Sequence, residues 1–112
     1  MDRTQLDDKF KDEAARREEI ARAKCGHRPG RFQAMAQEQG ALNAAIGLIE
    51  NTQPFEGLVR LFICSKERYK PALKLSIEQI FIEFAEKYGG DFLEIFKKEI
   101  IEIAKRKLSI QN

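Results

Sequence analysis

Three side chains with the chemistry of a catalytic or metal centre occur in Cys25-Gly26-His27 and at Cys64, and their spacing argues against both uses. A thiol and an imidazole can act as nucleophile and base, but residues separated by one glycine in a turn rarely orient for proton transfer. His27 is the sole histidine of the chain, so no other imidazole can take the role. A structural zinc needs a closed tetrahedral set of nitrogen and sulfur ligands, which Cys25, His27 and Cys64 do not complete and do not offer in a short paired spacing. Carboxylates remain: Glu78, Glu83 and Glu86 share one predicted helix, and Glu99 and Glu102 the next. Opposite an apolar helix face such acids are expected to be the solvated side. Neither GxxxxGK[ST] nor GxGxxG occurs, which excludes nucleotide binding by those two devices. The expectation is a chain that is not an enzyme, with no catalytic residue, cofactor, metal or small-molecule substrate.

Two basic segments carry the only chemistry with several residues behind it. Arg22, Lys24, Arg28 and Arg31, with His27, surround a predicted helix end and the next helix start, where side-chain charge and free backbone N–H groups can meet phosphate. Lys66, Arg68, Lys70 and Lys74 form the second, opposed only by Glu67, and Tyr69 within it could stack on an unpaired base. These residues define a candidate nucleic-acid surface: Arg22, Lys24, Arg28, Arg31, Lys66, Arg68, Tyr69 and Lys70. Against it stand a net charge of only +2 and an acidic stretch from Ile77 to Glu94. A second candidate is a protein partner, or a second copy, docking on Leu6, Phe10 and Ile20 of a thinly amphipathic first helix. That reading, a protein–protein adaptor or accessory subunit, ranks first, with nucleic-acid binding as the alternative.

The elements that must position these residues are helical. At 112 residues, 43% hydrophobic and 34% charged, the chain fits one ordinary globular domain. No apolar run approaches the roughly 18 residues that cross a bilayer, and MDRTQLDDKF is too polar for a secretory signal. A cytoplasmic setting without membrane contact follows as the expectation, and with it two reduced cysteines instead of a disulfide.

A charged helix is predicted from about Thr4 to about Lys24, with Thr4 as N-cap, ending before Gly26 in a left-handed position. Phe32, Met35 and Ala36 share a face of the next helix, which Gly40 stops or bends. Leu42, Ala45, Ile46 and Ile49 then resume helical spacing, while Ala41, Ala44 and Gly47 are small enough for close approach. Thr52 and Pro54 open a further helix with Phe55, Leu58, Val59, Phe62 and Ile63 on a broad apolar face. Ser76 caps a helix carrying Ile77, Ile80, Phe81, Phe84, Ala85 and Tyr88. Gly89 and Gly90 end it, and Asp91 caps the last, whose face holds Leu93, Phe96, Ile100, Ile103, Ala104 and Leu108. Lys105, Arg106 and Lys107 suit its carboxyl end. The predicted fold is all-α: a single compact domain of about five or six helices, with a charged N-terminal helix over 1–25, a compact helical body over 26–112, and an antiparallel C-terminal helical hairpin.

The series Gly26…Pro29…Phe32…Met35…Gly40…Ala44-Ala45…Leu48, Gly57…Leu61, Leu75-Ser76-Ile77-Glu78, Phe92…Ile95-Phe96 and Ile103-Ala104…Arg106…Leu108 resembles a small all-α bacterial domain to which no activity is assigned. Its pattern reads G-x-x-P-x-x-F-x-x-M, a glycine-containing turn, a small-residue helix, L-[ST]-[VI]-E and a closing A-x-x-x-L helix. The likeness covers Gly26 to Leu108. It implies a module found free-standing or attached to helicase-like, nuclease-like or restriction-type proteins, with no catalytic residue to carry over. The chain departs from the pattern at Gln39-Gly40, where a doubled glycine is usual, and in a longer, more basic segment from Phe62 to Leu75.

Overall fold

The capping residues set the frame of this computed structural model, which describes residues 1–26, 30–51 and 56–109. Asp2, not Thr4, starts the first helix, α1 (Arg3–Cys25). Its carboxylate accepts from the Gln5 N–H at 2.9 Å while the Gln5 side chain accepts from the Asp2 N–H at 2.9 Å, a reciprocal capping box. At the far end Gly26 adopts φ 67°, ψ 16°, and its N–H donates to the Arg22 carbonyl, as its expected left-handed role requires.

Five more α-helices and one 3-10 helix follow among the described residues, with no strand: α2 (Arg31–Gln39), α3 (Ala41–Glu50), α4 (Glu56–Glu67), the 3-10 helix η1 (Lys70–Leu75), α5 (Ile77–Tyr88) and α6 (Lys98–Ser109). Gly40 joins α2 to α3 at φ 90°, a conformation that strains any other residue. Ser76 caps α5 as expected, its hydroxyl accepting from the Gln79 N–H at 3.0 Å. The expected N-cap at Thr52 and the proline at Pro54 lie outside the described residues, as does Phe55.

Most large apolar side chains meet in one core. Leu6, Phe10 and Ala14 of α1 enter it beside Phe32, Leu42, Leu48, Ile49, Ile80, Phe81, Ile95 and Phe96. The thin stripe of α1 is therefore enough to seat it on the body of the molecule: Leu6 and Phe10 are 0% exposed. Phe10 meets Phe84 edge-on at 5.0 Å and Phe32 at 6.1 Å. Ala41 and Ala44 are buried as their size suggested. The radius of gyration, 13.2 Å, matches the roughly 13 Å of a close-packed chain of this length.

Polar contacts complete the seat of α1. Asp7 caps α3 from outside it, accepting from the N–H groups of Ala41 at 3.0 Å and Leu42 at 2.9 Å, where Gly40 has no side chain to do so. Arg17 is pinched between Glu13 and Glu83, at 2.7 and 2.5 Å, and donates to the Lys74 carbonyl. One arginine thus ties α1 to α5 and to the end of η1.

Two further sequence expectations fail here. The last helix begins at Lys98, not at Asp91, because 92–96 form turns that push Phe92, Ile95 and Phe96 into the core. Leu93, expected on the buried face, is 71% exposed. The second failure is Glu78. Far from being solvated, it is fully buried at the first turn of α5, and neither carboxylate oxygen finds a hydrogen-bond partner of good geometry. Burial pushes its pKa up to about 7, offset only in part by its own backbone N–H and by Lys107. Lys107 is itself buried, donates to the Leu48 carbonyl at 3.0 Å, and has its pKa lowered by desolvation.

Candidate interaction surface at the disulfide junction

Cys25 and Cys64 form a disulfide, with Cα atoms 5.6 Å apart across a sequence separation of 39. This corrects the expectation of two reduced thiols. That expectation rested on compartment and sequence distance, whereas the fold sets the last residue of α1 against the last turns of α4. Around the bond lies a second, small cluster of Ala21, Leu61, Cys64 and Ala72, with Tyr69, Leu73 and Leu75 half-buried at its edge. Beyond Cys64 the chain reverses, the N–H groups of Arg68 and Tyr69 both donating to the Cys64 carbonyl at 2.8 Å. Pro71, in the first turn of η1, holds a φ suited to that start.

The reversal joins the two basic segments that are far apart in sequence. Arg68 donates from Nη1 to the Cys25 carbonyl at 3.4 Å, and Lys24 Nζ sits 5.8 Å from the centre of the Tyr69 ring. Lys66 and Lys70 flank this point, Lys66 lying over the Phe62 ring at 5.6 Å. Arg22 leans back on Glu19 at 2.6 Å. Arg31, at the start of α2, lines a cleft of about 450 Å³ together with Glu18, Ala21, Gly26, Arg60 and Leu61. Arg60 is already paired with Glu56 at 2.7 Å. Glu18 accepts from the Gln33 side chain at 3.0 Å, and burial raises its pKa despite that bond. Arg28 and His27 lie outside the described residues.

The candidate partner-binding residues of α1 divide. Leu6 and Phe10 are consumed by the chain's own core, while Ile20 is half-buried. Apolar surface is exposed elsewhere. The face of α4 expected to be buried is turned: Leu58, Leu61 and Cys64 point inward, while Val59 and Ile63 are 39% and 46% exposed. Leu61 and Cys64, one turn apart, set that rotation by packing on Ala21 and Ala72. Val59, Phe62 and Ile63 consequently share the outward side of α4 with Lys66, although sequence periodicity alone placed these three apolar residues on the buried face. The competing 58, 61, 64 spacing was the available signal.

Among the described residues no group of His, Cys, Asp and Glu is arranged to hold a metal ion, and no helix is long and apolar enough to cross a membrane. No family model, curated protein or solved structure matches the chain.

Proposed function

We propose that this chain is a non-enzymatic helical interaction module, an adaptor or accessory subunit that docks a protein partner on the outward face of α4. The observation that carries the reading is the exposure of Val59 and Ile63, one turn apart beside half-buried Phe62; among the described residues the other exposed large apolar side chains, Met1 and Leu93, lie far from them in sequence. Exposed apolar strips rimmed by charge are a usual mark of protein contact. Lys66 and Arg68 at the rim favour a partner that presents carboxylates. In this reading α1 is scaffold, and α5 with α6 forms an antiparallel hairpin that backs the core. The likeness to a small bacterial domain attached to helicase-, nuclease- and restriction-type proteins agrees with a contact-making role in a cytoplasmic DNA-processing or defence assembly.

The test compares immobilised wild type, Val59→Asp/Ile63→Asp and Leu93→Asp in lysate of the source cell, with bound proteins read by mass spectrometry. A protein retained by wild type and Leu93→Asp but lost from the α4 variant supports the reading. Identical bound sets for all three overturn it.

A second reading has its own support, the meeting of Lys24, Arg68 and Tyr69 at one point with Lys66 and Lys70 beside them. Cations around an aromatic ring suit single-stranded nucleic acid. Fluorescence anisotropy with labelled single-stranded DNA and RNA at about 50 and about 200 mM salt tests it. Saturable binding that weakens steeply with salt and is lost in Arg68→Glu/Lys70→Glu supports it; no binding at the lower salt overturns it.

A further inference from the structure

We infer that Cys25 is a site of thiol–disulfide exchange, at which a small thiol or a dithiol protein opens the Cys25–Cys64 bond and releases the end of α1 from α4 and η1. The inference stands independently of any partner.

Three features of the junction support it. First, the apolar packing at the bond is small. Among the described residues the cluster around it buries two alanines, one leucine and Cys64, with Cys25, Tyr69, Leu73 and Leu75 half-buried at its edge, and contains no fully buried aromatic ring, so apolar burial contributes less there than in the main core. Second, Cys25 is the more exposed half of the bond. Cys64 is buried at 5% exposure, but Cys25 is half-buried at the last position of its helix, followed by exposed Gly26. Third, Lys24 and Arg68 bring positive charge to the Cys25 end, and anionic sulfur is favoured in such surroundings.

The exchange balances as follows. An external thiolate attacks Cys25 Sγ, the bond to Cys64 breaks, and Cys64 leaves as a thiolate that takes up a proton. A second external thiolate attacks the outer sulfur of the mixed disulfide and releases Cys25. The cystine is reduced by two electrons to two thiols, and two external thiols are oxidised to one disulfide.

The rest of α1 is anchored separately, by Leu6, Phe10 and Ala14 in the main core, by Asp7 on α3, and by Arg17 on Glu83. Opening is therefore local: the last turn of α1 separates from α4 and η1, and Lys24 leaves Tyr69. A cytoplasmic setting would suit such a bond, since disulfides there are chiefly transient ones.

The experiment uses the full chain, oxidised and after treatment with millimolar reduced glutathione or dithiothreitol, under native conditions. Thiols are counted by alkylation and mass spectrometry, and backbone opening is read by hydrogen exchange. The inference expects no alkylated cysteine before treatment and two after it. It expects exchange in 22–26 and 61–75 faster by about tenfold or more, unchanged exchange in 41–49 and 77–84, and full reversal with oxidised glutathione. Cys25→Ser and Cys64→Ser should both show the reduced pattern and ignore reductant, which covers the case of one of them folding poorly. Two alkylated cysteines in the oxidised sample, a bond that resists millimolar thiol, or loss of protection throughout the chain on reduction would each overturn it.

Discussion

The two apolar clusters of this molecule are held by different physics. The main core is a matter of volume: Phe10, Phe32 and Phe81 interlock with leucines and isoleucines from α1, α3, α5 and α6, and with Phe92, Ile95 and Phe96 from the turns before α6. The junction cluster has almost no volume, and a covalent bond does there what packing does elsewhere. The molecule can therefore change state at the junction more readily than in the core. A close-packed aromatic core opens only with the whole fold, whereas a small cluster clamped by one cystine can open by itself.

Removing a ring from the first region should have the largest effect. Phe10→Ala deletes a fully buried side chain in contact with Phe32 and Phe84, and is expected to cost about 3–5 kcal/mol in urea unfolding. Breaking the clamp should cost less. A cystine closing a separation of 39 constrains the unfolded chain by about 4 kcal/mol in the loop-entropy account, and about 2–4 kcal/mol is expected for Cys64→Ala. The comparison is sharpened by combining the two. If the regions are independent, reductant should destabilise Phe10→Ala by as much as it destabilises wild type, within about 0.5 kcal/mol. A large departure from additivity would show that the clusters form one cooperative unit.

How much of this was legible in the sequence follows from the range of each interaction. Gly26, Gly40 and Ser76 act on residues within one turn of themselves, and their roles could be read directly. The all-α class was equally plain from caps and apolar spacing. The cap of α3 was not, because Asp7 reaches it from 34 residues away in another helix. Nor was the rotation of α4, since 58, 59, 62, 63 and 58, 61, 64 are both helical stripes and only the position of Ala21 and Ala72 chooses between them. The basic surface was legible as two separate segments. That they meet depends on the chain reversal at Cys64 and on the cystine, neither of which has a local signature.

Glu78 marks an intermediate case, a charge inside the volume-packed region. Its folded pKa, about 7, lies above the unfolded value near 4.5, so between those values the folded chain holds a proton that the unfolded chain has released. Stability from this group is therefore fully present at the acid end, declines as pH rises from about 4.5 to about 7, and is flat above. The decline should be on the order of 3 kcal/mol, and Glu78→Gln should remove it. Glu13 and Glu83 have lowered pKa values, chiefly through the hydrogen bonds of Arg16 and Arg17 respectively, and act in the opposite sense as pH falls below about 4.5. They are common to both proteins, so the difference between wild type and Glu78→Gln across pH 5 to 7.5 isolates the buried carboxyl. A pH-independent difference would mean that Glu78 is charged in the fold throughout.

The smallest effect tests whether α1 is a strut of the main core or merely rests on it. Asp7 contributes no apolar area; its two hydrogen bonds to Ala41 and Leu42 replace the side-chain cap that Gly40 cannot provide. Substituting a capping oxygen typically costs about 1 kcal/mol, and Asp7→Asn, which keeps one acceptor, should cost less than Asp7→Ala. The position of that loss matters more than its size. If Asp7 joins α1 to α3, hydrogen exchange in Asp7→Ala should rise at 41–44 while the junction at 61–75 keeps its protection. Reduction of the cystine should give the mirror pattern. Finding both regions loosened by either change would erase the distinction between a core held by volume and a junction held by a bond.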